Sequence, residues 1–126
     1  MTGPARDPHA ALATGALPAN AAVAVTPHFL ATRSALRVIA AGGTAVDAAI
    51  AADAALSVVA PDACGPGGDL FAIVYQPGND RPAVLNASGR AGSRASASSL
   101  RDRGFRDIPA QSRSSITVPG CVDGWE

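Results

Sequence analysis

Arg90 is the residue best placed to do chemistry. It follows Leu85-Asn86-Ala87-Ser88-Gly89 at the carboxyl end of a predicted strand, where open α/β sheets set their ligands. A guanidinium there can grip a carboxylate through two parallel N–H donors. Residue chemistry alone leaves as much room for an arginine paired with a nearby aspartate or lying in solvent. No nucleophile stands beside a base. The chain has two histidines, His9 near the amino terminus and His28 after Pro27. His28 is expected to cap a helix or face solvent rather than to act as a lone base. There is no Gly-x-Ser-x-Gly motif and no Cys–His pairing, so no catalytic residue is assigned. Cys64 and Cys121 are far apart in the chain and read as small, semi-buried apolar residues. A disulfide or a catalytic thiol is the lesser alternative. No metal or cofactor is expected.

The glycine-rich run Cys64-Gly65-Pro66-Gly67-Gly68-Asp69 invites comparison with a phosphate loop. Phosphate loops pass from strand to helix, so that the helix N-terminus meets the anion. Here the predicted order is helix, loop, strand, and the chain has no lysine to reach a phosphate. A tight turn that permits close backbone approach is the better reading.

The elements around these residues follow from periodicity and punctuation. Ala21 to Thr26 alternates weakly and is expected to be a short strand ended by Pro27. From about Ala31 to Ala41 the pattern is helical, with Leu36, Ile39 and Ala40 on one face. Gly42-Gly43 closes that helix. Thr44 with Asp47 forms a variant of the capping box, and opens a second, alanine-rich helix from about Ala45 to Val59, ended by Pro61. Leu70 to Tyr75 and Ala83 to Ala87 read as two buried antiparallel strands joined by the turn Gln76 to Pro82. Arg90 to Ser99 reads as a loop. Ser98 to Arg103 is expected to be a short helix closed by Gly104. Ser114 to Val118 is a third strand candidate, and Cys121 to Glu126 the opening of another helix.

At 126 residues the chain has room for one domain and a modest core. Apolar residues make up 48% of it, too many for a disordered chain. Five residues are aromatic, so such a core depends on Ala, Val, Leu and Ile in close contact. Ten arginines balance ten acidic residues, which offers nothing to a polyanion and argues against nucleic-acid binding. Residues 1–20 read as a flexible tail and 21–126 as the structured segment. The tail carries no apolar stretch long enough for a signal peptide or a membrane span, so the expected compartment is the cytoplasm, with no membrane partner. The chain stops at Glu126 as a helix opens, and the expected fold is therefore an incomplete one.

Together these segments resemble one family. Gly42-Gly43-Thr44-Ala45-Val46-Asp47-Ala48-Ala49-Ile50-Ala51 resembles the GGNAVDAAIA-type signature of γ-glutamyltransferases (glutathione hydrolases). Pro61 followed by Gly65-Pro66-Gly67-Gly68-Asp69-Leu70-Phe71 is similar to the glycine-rich stretch and following strand of that family. Leu85-Asn86-Ala87-Ser88-Gly89-Arg90 resembles the arginine segment of its γ-glutamyltransferase-like branch. Val118-Pro119-Gly120 with Asp123-Gly124-Trp125 looks like its Val-Pro-Gly turn before a helix. Each match is weak, but all four occur in family order.

The resemblance implies an N-terminal nucleophile hydrolase, α/β (α+β) in class, with a four-layer αββα sandwich that this chain holds only in part. It implies a precursor that cuts itself into a large and a small subunit. The small subunit's new N-terminal threonine attacks the γ-glutamyl amide of a substrate such as glutathione, and the acyl group passes to water or an amine. This chain would be the first part of the large subunit, inactive alone, with the rest of that subunit and the small subunit as partners. The family's substrate-carboxylate arginine aligns with Ser88 in typical members, whereas Arg90 fits the Gly-Arg of the branch that includes acylases and amidohydrolases. A related amidohydrolase, or a non-catalytic truncated product, is the alternative.

Overall fold

The computed structural model describes residues 22–126. Residues 1–20, expected to be a tail, and His9 within them lie outside the described residues. In chain order the elements are α1 (Phe29–Ala40), α2 (Ala45–Val59), β1 (Leu70–Val74), β2 (Ala83–Ala87), α3 (Ala97–Asp102), a 3₁₀ turn (Arg113–Ser115) and α4 (Cys121–Trp125).

The helical hairpin α1–α2 is built from local signals. His28 caps α1, its Nδ1 accepting from the Leu30 amide at 3.2 Å. The helix ends at Ala41–Gly42, where Gly42 takes φ +92°. The Gly42 amide bonds the Ile39 carbonyl at 3.0 Å and the Gly43 amide bonds the Val38 carbonyl at 2.9 Å, the double closure of a Schellman end. Thr44 then starts α2. Its Oγ1 accepts from the Asp47 amide at 3.2 Å, and the Asp47 carboxylate accepts from the Thr44 amide at 2.7 Å. The reciprocal capping box forms as its spacing predicts.

The helices meet through alanine. Ala31 and Ala35 of α1 and Ala48 and Ala52 of α2 are buried, with Val38, Ile39 and Leu56 packed around them. This corrects the expected face of α1, for Leu36 is 42% exposed and Ala40 is exposed. The partner is itself an alanine helix, so the face with the smallest side chains gives the closest approach, and dispersion rewards close approach.

β1 and β2 pair antiparallel, with Phe71 opposite Asn86 and Ile73 opposite Val84. Within the described residues this is a two-stranded sheet. Leu70, Ala72 and Val74 are half-buried on the side that meets α4. Phe71 (64% exposed), Ile73 and Val84 face solvent. The strands, expected to be buried in a complete fold, are covered here on one side, as an incomplete fold implies: α4 covers one face, and no described element covers the other.

Two strand expectations fail. Residues 22–26 form no strand. They run beside the hairpin, with Ala24 against its alanine core and the Thr26 hydroxyl donating to the His28 carbonyl at 2.7 Å. At Ser114 to Val118 the serine hydroxyls compete for the backbone. Ser112 Oγ accepts from the Ser114 amide at 3.2 Å, Ser115 Oγ donates to the Ala110 and Ser112 carbonyls at 2.7 Å, and a 3₁₀ turn results. Residues 116–120 continue without regular structure.

Candidate functional site around Arg90

The end of β2 is held in an unusual number of ways. The Asn86 side chain accepts from the Ser88 amide at 3.1 Å, a local turn typical of asparagine. Gly89 then takes φ +77°, a conformation that disfavours a side chain. Arg90 follows with its side chain exposed. Its backbone is fixed, because its carbonyl accepts from the Val118 amide at 2.8 Å. Just before it in each segment, the Thr117 hydroxyl donates to the Ser88 carbonyl at 3.1 Å. The failed strand at Ser114 to Val118 thus becomes a strap over the end of β2. A Cβ on Gly89 would overlap the Val118 carbonyl, and one on the buried Gly120 would overlap the Ala87 carbonyl. Both glycines are required by this close crossing.

The glycine-rich loop serves the same site. Gly68 accepts two bonds at the start of α4, from the Gly120 amide at 3.0 Å and the Cys121 amide at 3.1 Å. Gly124 of α4 lies against Ala87 and Leu70, with no room for a Cβ between them. The loop makes a tight turn, the Gly68 amide bonding the Gly65 carbonyl at 3.0 Å, and it seats a helix.

α4 is also tied to α2. Asp53 Oδ2 accepts from Trp125 Nε1 at 3.1 Å and from the Cys121 thiol at 3.7 Å. Sequence reading missed this group. The available signal was a second carboxylate in α2, beyond the capping Asp47, set amid alanines and aliphatics and obliged to find donors or solvent. Cys121 is 2% exposed, and its thiol titrates above the ordinary range. Burial is the main cause, and the negative charge and hydrogen bond of Asp53 add to it. A thiol held protonated is a poor nucleophile. Cys64 and Cys121 are both free in this structure.

The predicted site residues therefore come together only in part. Ser88 and Arg90 share one anchored turn. His28 is remote from it in role, serving as a cap. Arg94 lies in the exposed loop before α3. Among the described residues no group of three His, Cys, Asp or Glu side chains could hold a metal ion, and no helix is long and apolar enough to cross a membrane.

The chain is 43% identical over 104 residues to the oxamate amidohydrolase proenzyme of Klebsiella pneumoniae, a match covering 82% of this chain and 19% of that protein. It is 41% identical over 105 residues to the glutathione hydrolase-like YwrD proenzyme of Bacillus subtilis, covering 81% and 19%. Its fold resembles the crystal structure of Helicobacter pylori γ-glutamyltranspeptidase, with a TM-score of 0.73 and 29% identity over 88% of this chain and 32% of that one. The chain thus spans about a fifth of the length of the curated relatives it matches. The helices and paired strands described above are part of the αββα sandwich of N-terminal nucleophile hydrolases. Residues 31–126 match the family model for gamma-glutamyltranspeptidase, and the chain belongs to that family.

Proposed function

We propose that this chain forms the substrate-carboxylate corner of an amide-cleaving enzyme. Arg90 holds the carboxylate of a small amide substrate, such as the γ-glutamyl group of glutathione. The observation that carries this reading is the contrast at Arg90. Its backbone is bonded to Val118 at 2.8 Å, while its guanidinium is exposed and available for a planar, two-pronged grip. The attacking group is the N-terminal threonine of a small subunit released from a precursor. Its α-amino group serves as base, and the acyl group passes to water or an amine. In keeping with this, the relatives named above are proenzymes.

A second reading concerns the acyl group. Ser88, half-buried, stands where typical members of the family carry the arginine. The arginine here is two residues later and beyond a positive-φ glycine, so it reaches the substrate from a different direction. That shift, with the similarity to an oxamate amidohydrolase, favours a carboxylate closer to the scissile amide than in a γ-glutamyl group.

The test is steady-state kinetics of the intact, processed enzyme with a γ-glutamyl anilide and with oxamate. Arg90→Ala is expected to raise KM strongly, losing a charge-assisted pair of about 1.5–3 kcal/mol. Arg90→Lys recovers part of it, because an ammonium lacks the fork. Unchanged kinetics in both variants would remove Arg90 from the role and turn attention to Arg94.

A further inference from the structure

We propose that Asp53 is a positioning residue, acting from α2 through α4 to hold the Arg90 turn in its working geometry. The inference rests on the Arg90 reading for its catalytic consequence, but not for its structural one.

The connection is a chain of direct contacts. The Asp53 carboxylate takes hydrogen bonds from both ends of α4, from the Cys121 thiol at 3.7 Å and from Trp125 Nε1 at 3.1 Å. α4 is one and a half turns long and five residues in extent, too short to be stable by itself. Its position therefore depends on what grips it. One grip is Asp53 and the other is Gly68, whose carbonyl receives the Gly120 and Cys121 amides. With α4 seated, Gly120 lies against the Ala87 carbonyl and the Gly89 amide, and Gly124 against Ala87. Immediately before α4, the Val118 amide bonds the Arg90 carbonyl and the Thr117 hydroxyl bonds the Ser88 carbonyl. The turn that presents Arg90 thus has its outer wall fixed to the strap, the strap to α4, and α4 to Asp53.

Asp53 has the chemistry for this work. A half-buried carboxylate with two donors on one oxygen resists displacement, because releasing either donor leaves a charge less well solvated. Trp125, half-buried, offers a single N–H in a fixed direction, which sets the angle of α4 as well as its distance. Asp53 itself is far from Arg90 in this chain of contacts and touches no part of the proposed substrate site.

The experiment uses the intact enzyme with Asp53→Ala, Asp53→Asn, Trp125→Phe and the Asp53→Ala/Trp125→Phe double variant. Two readouts are taken: amide hydrogen exchange and steady-state kinetics. In Asp53→Ala, exchange at Val118, Gly120 and Cys121 should quicken by about tenfold, the scale set by one lost hydrogen bond. Protection across α1 and the first turns of α2 should hold. KM should rise severalfold with kcat little changed. Asn keeps an acceptor for Trp125, so Asp53→Asn should restore most of both. The double variant should be no worse than Asp53→Ala, since both changes break one clasp.

Unchanged exchange at Val118, Gly120 and Cys121 in Asp53→Ala would overturn the proposal, whatever the kinetics. So would a loss of protection spread evenly through α1 and α2. Faster local exchange in Asp53→Ala, together with an Arg90→Ala enzyme of normal KM, would uphold the clasp and refute the Arg90 reading instead.

Discussion

Replacing Gly89 by alanine tests the geometry of the Arg90 turn, and the structure supplies its own controls. Gly92 has no positive φ and nothing within 4 Å of where a Cβ would stand. Gly78 takes φ +95° but is equally open, so alanine there meets backbone strain alone, about 1–2 kcal/mol. Gly89 adds a collision to the strain. At φ +77° its Cβ would lie 3.0 Å from the Val118 carbonyl carbon and would overlap the carbonyl oxygen. Neither atom is the end of a flexible side chain, so the strap itself must move. That movement strains the Val118-to-Arg90 bond of 2.8 Å, whose loss costs about 0.5–1.5 kcal/mol. The sum for Gly89→Ala is roughly 1.5–3.5 kcal/mol. Denaturant unfolding of the intact enzyme should therefore rank the variants Gly92→Ala near neutral, Gly78→Ala intermediate and Gly89→Ala lowest. Gly89→Ala alone should also raise KM, because it displaces Arg90. If Gly89→Ala proved no less stable than Gly78→Ala, with KM unaltered, the strap would not be pressed against β2 and the reasoning would fail.

The remaining predictions are simpler. A thiol reagent near neutral pH should label Cys64, which is half-buried, well before Cys121, whose burial and proximity to Asp53 keep it protonated; mass spectrometry of the labelled peptides gives the order. Thr44→Ala should destabilise the protein by about 0.5–2 kcal/mol through loss of an N-cap, read as a shift in the unfolding midpoint. The Thr44 amide and hydroxyl hold the Asp47 carboxyl below its usual range. A depressed acid pKa contributes stability that is present above the unfolded value, about 4, and is lost as pH falls through the folded one. The difference between wild type and Asp47→Ala should thus be steady near neutrality and shrink below about pH 4; a constant difference down to pH 2 would contradict it.

The parts of the fold that could be read from sequence are those whose causes are local. Gly42-Gly43, Thr44 with Asp47, and the turn from Gln76 to Pro82 each act within a few residues, and the elements they bound match expectation closely. The parts that could not be read depend on distant partners. Ala21 to Thr26 and Ser114 to Val118 have strand-like composition, but composition cannot show whether another strand stands alongside. The face of α1 was misjudged because size and hydropathy favoured Leu36, whereas the neighbouring helix accepts alanine. At the candidate site, Arg90 is proposed from its place after a strand. The Asp53–Trp125 pair was not found, because its members are separated by 72 positions and nothing in the motif that holds Trp125 points to Asp53.

The open face of the sheet bears on how all these effects must be measured. Phe71, Ile73, Tyr75 and Val84 are large apolar side chains left mostly in solvent among the described residues. Burying each is worth roughly 1.5–3 kcal/mol, so the four together represent about 6–12 kcal/mol. That equals the whole net stability of an ordinary domain, about 5–15 kcal/mol. In an αββα sandwich each sheet lies between a helical layer and the other sheet, and α4 occupies only one side of this one. The oxamate amidohydrolase and YwrD proenzymes are each about four times as long as this chain. The unpaired edges of β1 and β2 point the same way, since exposed strand edges recruit further strands. The differences of about 0.5–3.5 kcal/mol expected at Thr44 and Gly89 are therefore small beside what covering that face would contribute. Such differences are expected to report on the strap and the clasp in the intact protein, whereas in this chain alone association of the uncovered face would compound them.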